Sequence, residues 1–425
     1  MRADLLIHSA AQLVTCASPA GTPKRGQAMR DVGLLEDGAV AVRDGVIAAV
    51  GRSAELRAAY SAAKTVDASG KAVCPGFVDP HTHAVYAGDR VDEFEMRIQG
   101  ATYMEIMAAG GGIVSTVKAV RSAPLGQIVV ETRARLNEML RHGTTTAEVK
   151  TGYGLDSTNE LKLLEAIAAL DAEHPIDLIP TFMGAHALPP EYRGRADDYV
   201  ALVIDEMLPQ AADWYRRSAF AAKGAPFFVD VFCEQNAFDL EQSRRVLAAG
   251  QSLGMGVKAH VDEFTSLGGV RLAVALGAVS VDHLDVTPPG EVELLAASDT
   301  VGVVIPAVNF NLGSAHFADA RAMLDAGAAL ALTTDINPGS APCPSMPIVM
   351  AIACRFQRLL PSEALNASTI NAACAVGMGD RLGSLEAGKQ ADLLILNTPD
   401  YRHLAYQFGG NLVESVFKRG VLVAG

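Results

Sequence analysis

Residues 75–83 read PGFVDPHTH. Proline and glycine open the stretch, a short apolar run follows, and two histidines two positions apart close it. An apolar run of this length, bounded by turn residues, is what a strand buried on both faces looks like. Residues at i and i+2 of a strand project from one face, ~7 Å apart along the backbone. From there two imidazoles can converge on one metal ion at ~2.0–2.1 Å. Alone, an H-x-H fits a polar surface strand equally well, and the rest of the chain decides between the two readings.

Runs of the same character recur at 143–150 (GTTTAEVK), 176–183 (IDLIPTFM), 227–234 (FFVDVFCE), 256–260 (GVKAH), 278–283 (AVSVDH), 301–306 (VGVVIP) and 329–335 (ALALTTD). Ala/Leu-rich helical patterns lie between them, such as TNELKLLEAIAALDAEH and SRRVLAAGQSLG, the latter stopped by Gly254. Strands alternating with helices imply a parallel sheet, and eight strands close a barrel. A doubly wound open sheet is the alternative for the same rhythm. The longest interruptions, 84–142 and 184–226, leave room for lid helices and substrate loops.

Both ends of the chain are different. LLIHSAAQLVT, AVAVRDGVIAAVG with an Asp44-Gly45 hairpin turn, and KTVDASGKAV read as short strands, and so do ADLLILN and LVESVFKRGVLVAG at the other end. Neither end is long enough to form a core alone. The expected fold is therefore α/β: a (β/α)8 TIM-type barrel over 71–383, with a small β-sandwich domain built from 1–70 and 384–425.

Composition bounds the function. A formal charge of −13 over 425 residues, with no long basic run, argues against nucleic acid or an anionic membrane surface as partner. A small anionic substrate stays open, because a few local cations decide that. Six scattered cysteines with no C-x-x-C pair read as free thiols in a reducing compartment. No signal-peptide pattern and no run of ~18 apolar residues is present, so a cytoplasmic location is expected.

In such a barrel the chemistry sits at the C-terminal ends of the strands. Here the polar residues gather there: His81 and His83 after the first run, Glu148 and Lys150 on the second, His186 after the third, Cys233 and Glu234 on the fourth. His260 ends the fifth with Glu263 just beyond, Asp282 and His283 end the sixth, and Asp335 ends the eighth. Of ten histidines, five stand at these ends, which random placement seldom achieves. Neutral imidazole and carboxylate suit zinc or iron(II) better than magnesium or calcium. His142, His174, His316 and His403 lack this context and read as structural. Cys233 has no base pair to activate it and reads as a buried thiol. Gly110-Gly111-Gly112 lacks the spacing of a phosphate cradle and reads as a mobile loop.

PGFVDPHTH, together with His260, His283 and Asp335, resembles the metal-binding pattern of the amidohydrolase superfamily. GSLEAGKQADLLIL (383–396) resembles that superfamily's return into its small domain. Within it, the chain is similar to the imidazolonepropionase family through DPHTHAVYAGDRVDEFEMRIQGATYMEI, AGGGIVSTV, EVKTGYGLD, TFMGAHALPPEY, DVFCE, KAHVDEF, DHLD and TDINPGS.

The resemblance implies one divalent metal per chain, zinc or iron, held by His81, His83, His260 and Asp335. It implies His283, Asp335 and Glu263 as the groups that move protons. For the substrate it implies Arg90 on a propionate carboxylate assisted by Tyr103, then Tyr153, His186, Glu263, Asn337, Gly339 and Ser340. The implied reaction is hydrolysis of the cyclic amide of 4-imidazolone-5-propanoate to N-formimino-L-glutamate, in a homodimer, with no carboxylated lysine. The residues themselves allow blander readings: Arg90 on an open surface, Tyr103 packed on a helix, Glu263 as a solvated loop acid. A deaminase of a related heterocycle shares the metal pattern but not TGYGLD with GAHALPPEY. A non-catalytic metal-binding barrel would be expected to lack a ligand or a strand-end acid, and none is missing.

Overall fold

A computed structural model describes residues 1–101, 105 and 111–425. Among the described residues, sixteen strands fall into two eight-stranded sheets. The barrel sheet runs in chain order: β6 (Phe77–Asp79), β7 (Thr144–Lys150), β8 (Asp177–Ala185), β9 (Phe228–Cys233), β10 (Gly256–Val261), β11 (Ser280–His283), β12 (Val301–Val304) and β13 (Leu330–Leu332), with every neighbouring pair parallel. The first and last strands meet through Asp79, which accepts hydrogen bonds from Thr333 and from the Thr334 N–H and hydroxyl. The expected barrel is thus present, strand for strand.

Alternation explains what faces where. Val257, Ala259 and Val261 on β10, and Ala147 and Val149 on β7, join the large core between sheet and helices. Their neighbours Lys258, His260, Glu148 and Lys150 fill the interior instead. The bottom is closed by Val78, Ile179, Phe228, Val301 and Val303 against the helix Ile370–Ala375. The helices begin and end as their sequences suggest. Asp156 caps Ser157–Glu173 by accepting from Asn159 N, Asp239 heads Leu240–Ser252 with a full capping box, and Gly254 follows the latter helix at φ 86°.

The second sheet contains both chain ends. β1 (Arg2–Val14) lies at its centre between β2 (Leu34–Arg43) and the pair β4 (Ser61–Asp67) and β5 (Ala72–Pro75), while β3 (Val46–Arg52) extends the β2 edge. β14 (Leu393–Leu396) pairs antiparallel with β5 and is followed by β15 (Val413–Lys418) and β16 (Val421–Ala424). The β2–β3 turn has Asp44 at φ 54° and Gly45 at φ 75°, both left-handed, as a two-residue hairpin of this twist requires. The sheet wraps a core of Leu5, Ile7, Leu13, Val40, Val42, Val73, Leu393, Ile395 and Phe417. It is tied to the barrel by the buried Lys418, whose ammonium lies 2.8 Å from Asp177 and 2.7 Å from Asp392 and donates to Thr145 O.

Two sequence expectations change in detail. The run 75–82 is not one strand: Pro75 ends β5 in the terminal sheet, and only Phe77–Asp79 pair in the barrel. His81 and His83 therefore stand beyond the strand, because Pro80 has no N–H to continue a ladder. The glycine run is only partly described: Gly112, at φ 79°, precedes the helix Ile113–Ser122 and donates its N–H to Glu93. Gly110 and Tyr103 lie outside the described residues. Among the described residues no helix is long and apolar enough to cross a membrane, and all six cysteines are free.

Candidate metal centre and substrate cleft

His81, His83, His260 and Asp335 come together at the C-terminal mouth of the barrel. The His83 and His260 Nε2 atoms are 3.1 Å apart. Asp335 Oδ1 lies 3.5 Å from His81 Nε2 and 3.9 Å from His83 Nε2. Ligands at 2.0–2.1 Å around a tetrahedral ion are ~3.3 Å from one another, so these spacings match a shared cation. His81 Nε2 and Asp335 Oδ1 are buried with no hydrogen-bond partner in the protein, and unpaired buried polar atoms are costly. Burial, then neighbouring cationic and imidazole groups, hold His81 and His83 well below the usual histidine range, leaving both neutral and able to offer lone pairs. Burial also pushes Asp335 well above the ordinary carboxylate range, which a cation would reverse. The donor set fits one divalent metal ion.

The far nitrogens of two of these rings are held from below. His81 Nδ1 lies 2.7 Å from Asp282 Oδ2, and His260 Nδ1 lies 3.0 Å from Asp230 Oδ1. Carboxylates there favour the tautomer that leaves the Nε2 lone pair facing the shared cluster. Both acids are fully buried, as are Glu148, Lys150 and Lys258 beside them. Asp282 was visible as a strand-end acid. Asp230 and Lys258 were missed, although a charged residue inside an otherwise apolar strand run was the available signal.

His283 is reached by an unusual backbone. Alternation would send it outward with Val281, yet its ring is 5.2 Å from that of His260 and its Nδ1 is 3.7 Å from Glu263 Oε2. His283 and Leu284 adopt φ 87° and 67°, and Asp262 and Asp335 adopt 57° and 47°. Left-handed non-glycine residues cost roughly 1–3 kcal/mol each, and here they ring the barrel mouth. Burial holds His283 well below its usual range. Burial, then the charges of Asp335, Asp285 and Glu234, push Glu263 well above its own.

The cleft over this cluster encloses about 110 Å³ and is lined by Arg90, Tyr153, His186, Glu263, Asn337 and Ser340, with Ile113 and Phe232 as apolar walls. That size suits a molecule smaller than a typical drug. His186 stacks on His83 at 4.6 Å and pairs with Gly152 O, and burial lowers its pKa to about 3. Gly152 sits at φ 107°, where a Cβ would be 2.7 Å from His186 Nδ1. The loop that carries Tyr153 is clamped by Glu160, which accepts N–H bonds from Gly152, Gly154 and Leu155. Glu160 went unread in the sequence because it looks like any first-turn helix acid.

Arg90 is held by Glu93 at 2.6 Å, and its Nε, buried without a partner, is free for a ligand. Gly339 leaves room for it: a Cβ there would fall 2.1 Å from Arg90 Nη1 and push the guanidinium aside. Asn337 knits the loop: its Oδ1 accepts from the Gly339 and Ser340 N–H groups, and its Nδ2 donates to Asp335 Oδ2 at 3.1 Å. Of the described residues expected at the site, His83, His260, His283 and Asp335 also line this cleft, while His81 lies beneath it in the cluster and Gly339 beside Arg90. His142, His174, His316 and His403 are absent from its lining.

A polar barrel mouth with a buried His/Asp cluster, closed below by a helix and joined to a sheet from both chain ends, defines an amidohydrolase-type protein. The amidohydrolase family profile matches residues 242–423, and that of an imidazolonepropionase-like composite domain of bacteria matches 38–60. The imidazolonepropionase of Chloroflexus aggregans is 60% identical over 420 residues, 99% of this chain and 98% of that one. That of Herpetosiphon aurantiacus is 52% identical over 421 residues, covering 99% and 97%. The chain belongs to the imidazolonepropionase family. Among solved structures, an adenosine deaminase from Xanthomonas campestris with bound zinc gives a TM-score of 0.73 at 23% identity, covering 99% and 93%. The guanine deaminase of E. coli gives 0.68 at 16%, covering 99% of each. At such identities the likeness concerns the fold alone.

Proposed function

We infer that this chain is an imidazolonepropionase: it hydrolyses the cyclic amide of 4-imidazolone-5-propanoate to N-formimino-L-glutamate, using one divalent metal. The observation that carries this reading is family membership over essentially the whole length, joined to a cleft lined by both the Arg90 guanidinium, unpaired at Nε, and a His/Asp cluster. Zinc is the metal we propose first and iron(II) second, on the imidazole-rich donor set. The ligands proposed are His81, His83, His260 and Asp335. When bound, the cation supplies Lewis acidity and lowers the pKa of a water to ~7.

The chain's own residues do the rest. Arg90 anchors the propionate carboxylate by a charge-assisted bond, with Tyr103 proposed beside it. Tyr153, His186 and the Asn337–Gly339–Ser340 loop orient the ring. Asp335, held by Asn337, receives the proton lost by the attacking water, and the neutral His283 orients the water and polarises the carbonyl. Glu263, whose raised pKa favours its protonated form, gives a proton to the ring nitrogen that leaves. The water oxygen ends as the new carboxylate, and the released nitrogen becomes that of the formimino group.

The small domain proposed is 1–70 with 384–425, and 71–383 carry the chemistry. The active form proposed is a cytoplasmic homodimer. Aromatic surface left exposed where Phe310, Phe356, Tyr406 and Phe408 lie supports association, and sedimentation gives the stoichiometry.

The test is an ultraviolet assay with freshly generated imidazolone propionate. Metal-dependent loss of absorbance with stoichiometric formimino-glutamate is expected. Folded, metal-loaded protein that leaves this substrate intact while deaminating purines would overturn the assignment. For the roles, His283→Ala and Glu263→Gln are each expected to lower kcat ~10²–10⁴-fold with metal content unchanged.

A further inference from the structure

Lys150 is the strand-end residue that the proposed chemistry leaves unused. Its ammonium is fully buried in the barrel, 2.7 Å from Glu148 Oε1, 2.7 Å from Asp230 Oδ2 and 3.5 Å from Asp282 Oδ2. Asp230 and Asp282 are the two acids that hold His260 and His81. Among the described residues, Lys150 is thus the single cation within ion-pair distance of both. On the other side Glu148 also pairs with Lys258, which donates to the carbonyl of Pro80 at 2.7 Å, immediately before His81. Ser280 donates to the other oxygen of Asp282, Oδ1, and Thr181 donates to the same Glu148 Oε1 that Lys150 holds. A buried ion network of this kind rigidifies when it is fully satisfied.

The charge count is informative. Three carboxylates (Glu148, Asp230, Asp282) against two ammoniums (Lys150, Lys258) leave −1. Asp335, a further carboxylate, stands above this network at the ligand cluster, 3.5 Å from His81 Nε2. Ligand atoms of Asp230, His260 and Asp282 also lie within 4.8 Å of one another, so this acidic cradle would itself attract a cation if the ammonium were missing.

We propose that Lys150 is a positioning residue for the metal centre: by clamping Asp230 and Asp282 together it fixes the orientation of His260 and His81. It acts through these acids and touches neither substrate nor reacting atoms. This rests on the reading that His81, His83, His260 and Asp335 hold the metal. Burial opposes the charge on Lys150, but Asp230, Glu148 and Asp282 outweigh it and keep the group above the usual lysine range, so the clamp is a permanent cation.

The test is zinc affinity, measured on chelator-stripped full-length protein by competition with a chromophoric chelator, with cobalt(II) absorption reporting ligand geometry. Lys150→Met is expected to weaken zinc binding ~10–100-fold, the usual effect of losing an outer partner of a ligand, and to alter the cobalt spectrum. The sign is diagnostic, because removing a positive charge would by itself tighten zinc. Lys418→Met, a loss of a similarly buried lysine at the other end of the barrel, is expected to lower stability and leave zinc affinity unchanged. Asp282→Asn keeps the shape and covers the case in which Lys150→Met does not fold. It too is expected to weaken zinc, and Lys150→Met/Asp282→Asn should lose less than the product of the two single effects. Unchanged or tighter zinc in Lys150→Met, or wild-type affinity and spectrum in Asp282→Asn, overturns the proposal. A wild-type protein that binds no zinc or iron overturns instead the ligand assignment beneath it.

Discussion

Arg90 and Gly152 are where single side chains decide most. Arg90 is pinned by Glu93 on one edge and left unpaired at Nε, a geometry that stores a charge-assisted bond for an incoming carboxylate. Hydrogen bonds to charged groups contribute about 1.5–3 kcal/mol. Arg90→Ala is therefore expected to raise KM about 10–100-fold, with a smaller effect on kcat. An analogue lacking the carboxylate should show no such difference between variant and wild type; if it does, Arg90 is not the anchor. At Gly152 a side chain meets both a left-handed backbone and His186. Gly152→Ala should cost about 1–3 kcal/mol in chemical denaturation and lower kcat/KM by displacing Tyr153 and His186.

Elements matter where the two sheets are joined. β15 delivers Lys418 into a pocket with Asp392 at the approach to β14 and Asp177 at the base of β8, so one ammonium couples the terminal sheet to the barrel floor. Removing it leaves buried Asp392 uncompensated, and Lys418→Met is expected to lose about 3–5 kcal/mol, measured by urea unfolding. Burial raises the Asp177 pKa, but Lys418 and Arg419 outweigh it and hold it below the ordinary value. A carboxylate depressed on folding contributes stability that is present above its unfolded pKa, ~3.9, and lost as pH falls through the folded value. The stability gap between wild type and Asp177→Asn should accordingly be full at pH 7 and shrink below about pH 4. A gap that stays constant down to pH 2 would falsify this linkage.

At the scale of the molecule, the proposed metal centre would couple loops from opposite sides of the barrel: the segment after β6, the end of β10 and the segment after β13. A ligand that binds only the folded chain stabilises it by RT ln(1 + [L]/Kd), about 2.7 kcal/mol at a hundredfold excess over Kd. Stripping the metal with a chelator should lower the melting temperature, and stoichiometric zinc should restore it. A melting curve indifferent to both would mean that the four ligands do not act together.

How much of this was legible beforehand follows from the range of each interaction. The barrel was legible because a strand buried on both faces must be apolar along its length, and eight such runs with helices between them leave few ways to close. The histidines and acids of the mouth were legible because strand ends are a fixed place on that fold. Three features were decided only in space. The departure of His81 and His83 from β6 depends on Pro80 and on the neighbouring strands. The turning inward of His283 depends on a left-handed backbone that no side-chain pattern announces. The burial of Glu148, Lys150, Asp230, Lys258 and Asp282 as one network depends on contacts up to 132 residues apart in the chain, between Lys150 and Asp282. Sequence by itself determined which residues could be buried and at what period. Only the tertiary structure decided which charges neutralise one another inside, because that balance is set by distance through a low-dielectric interior and not by spacing along the chain.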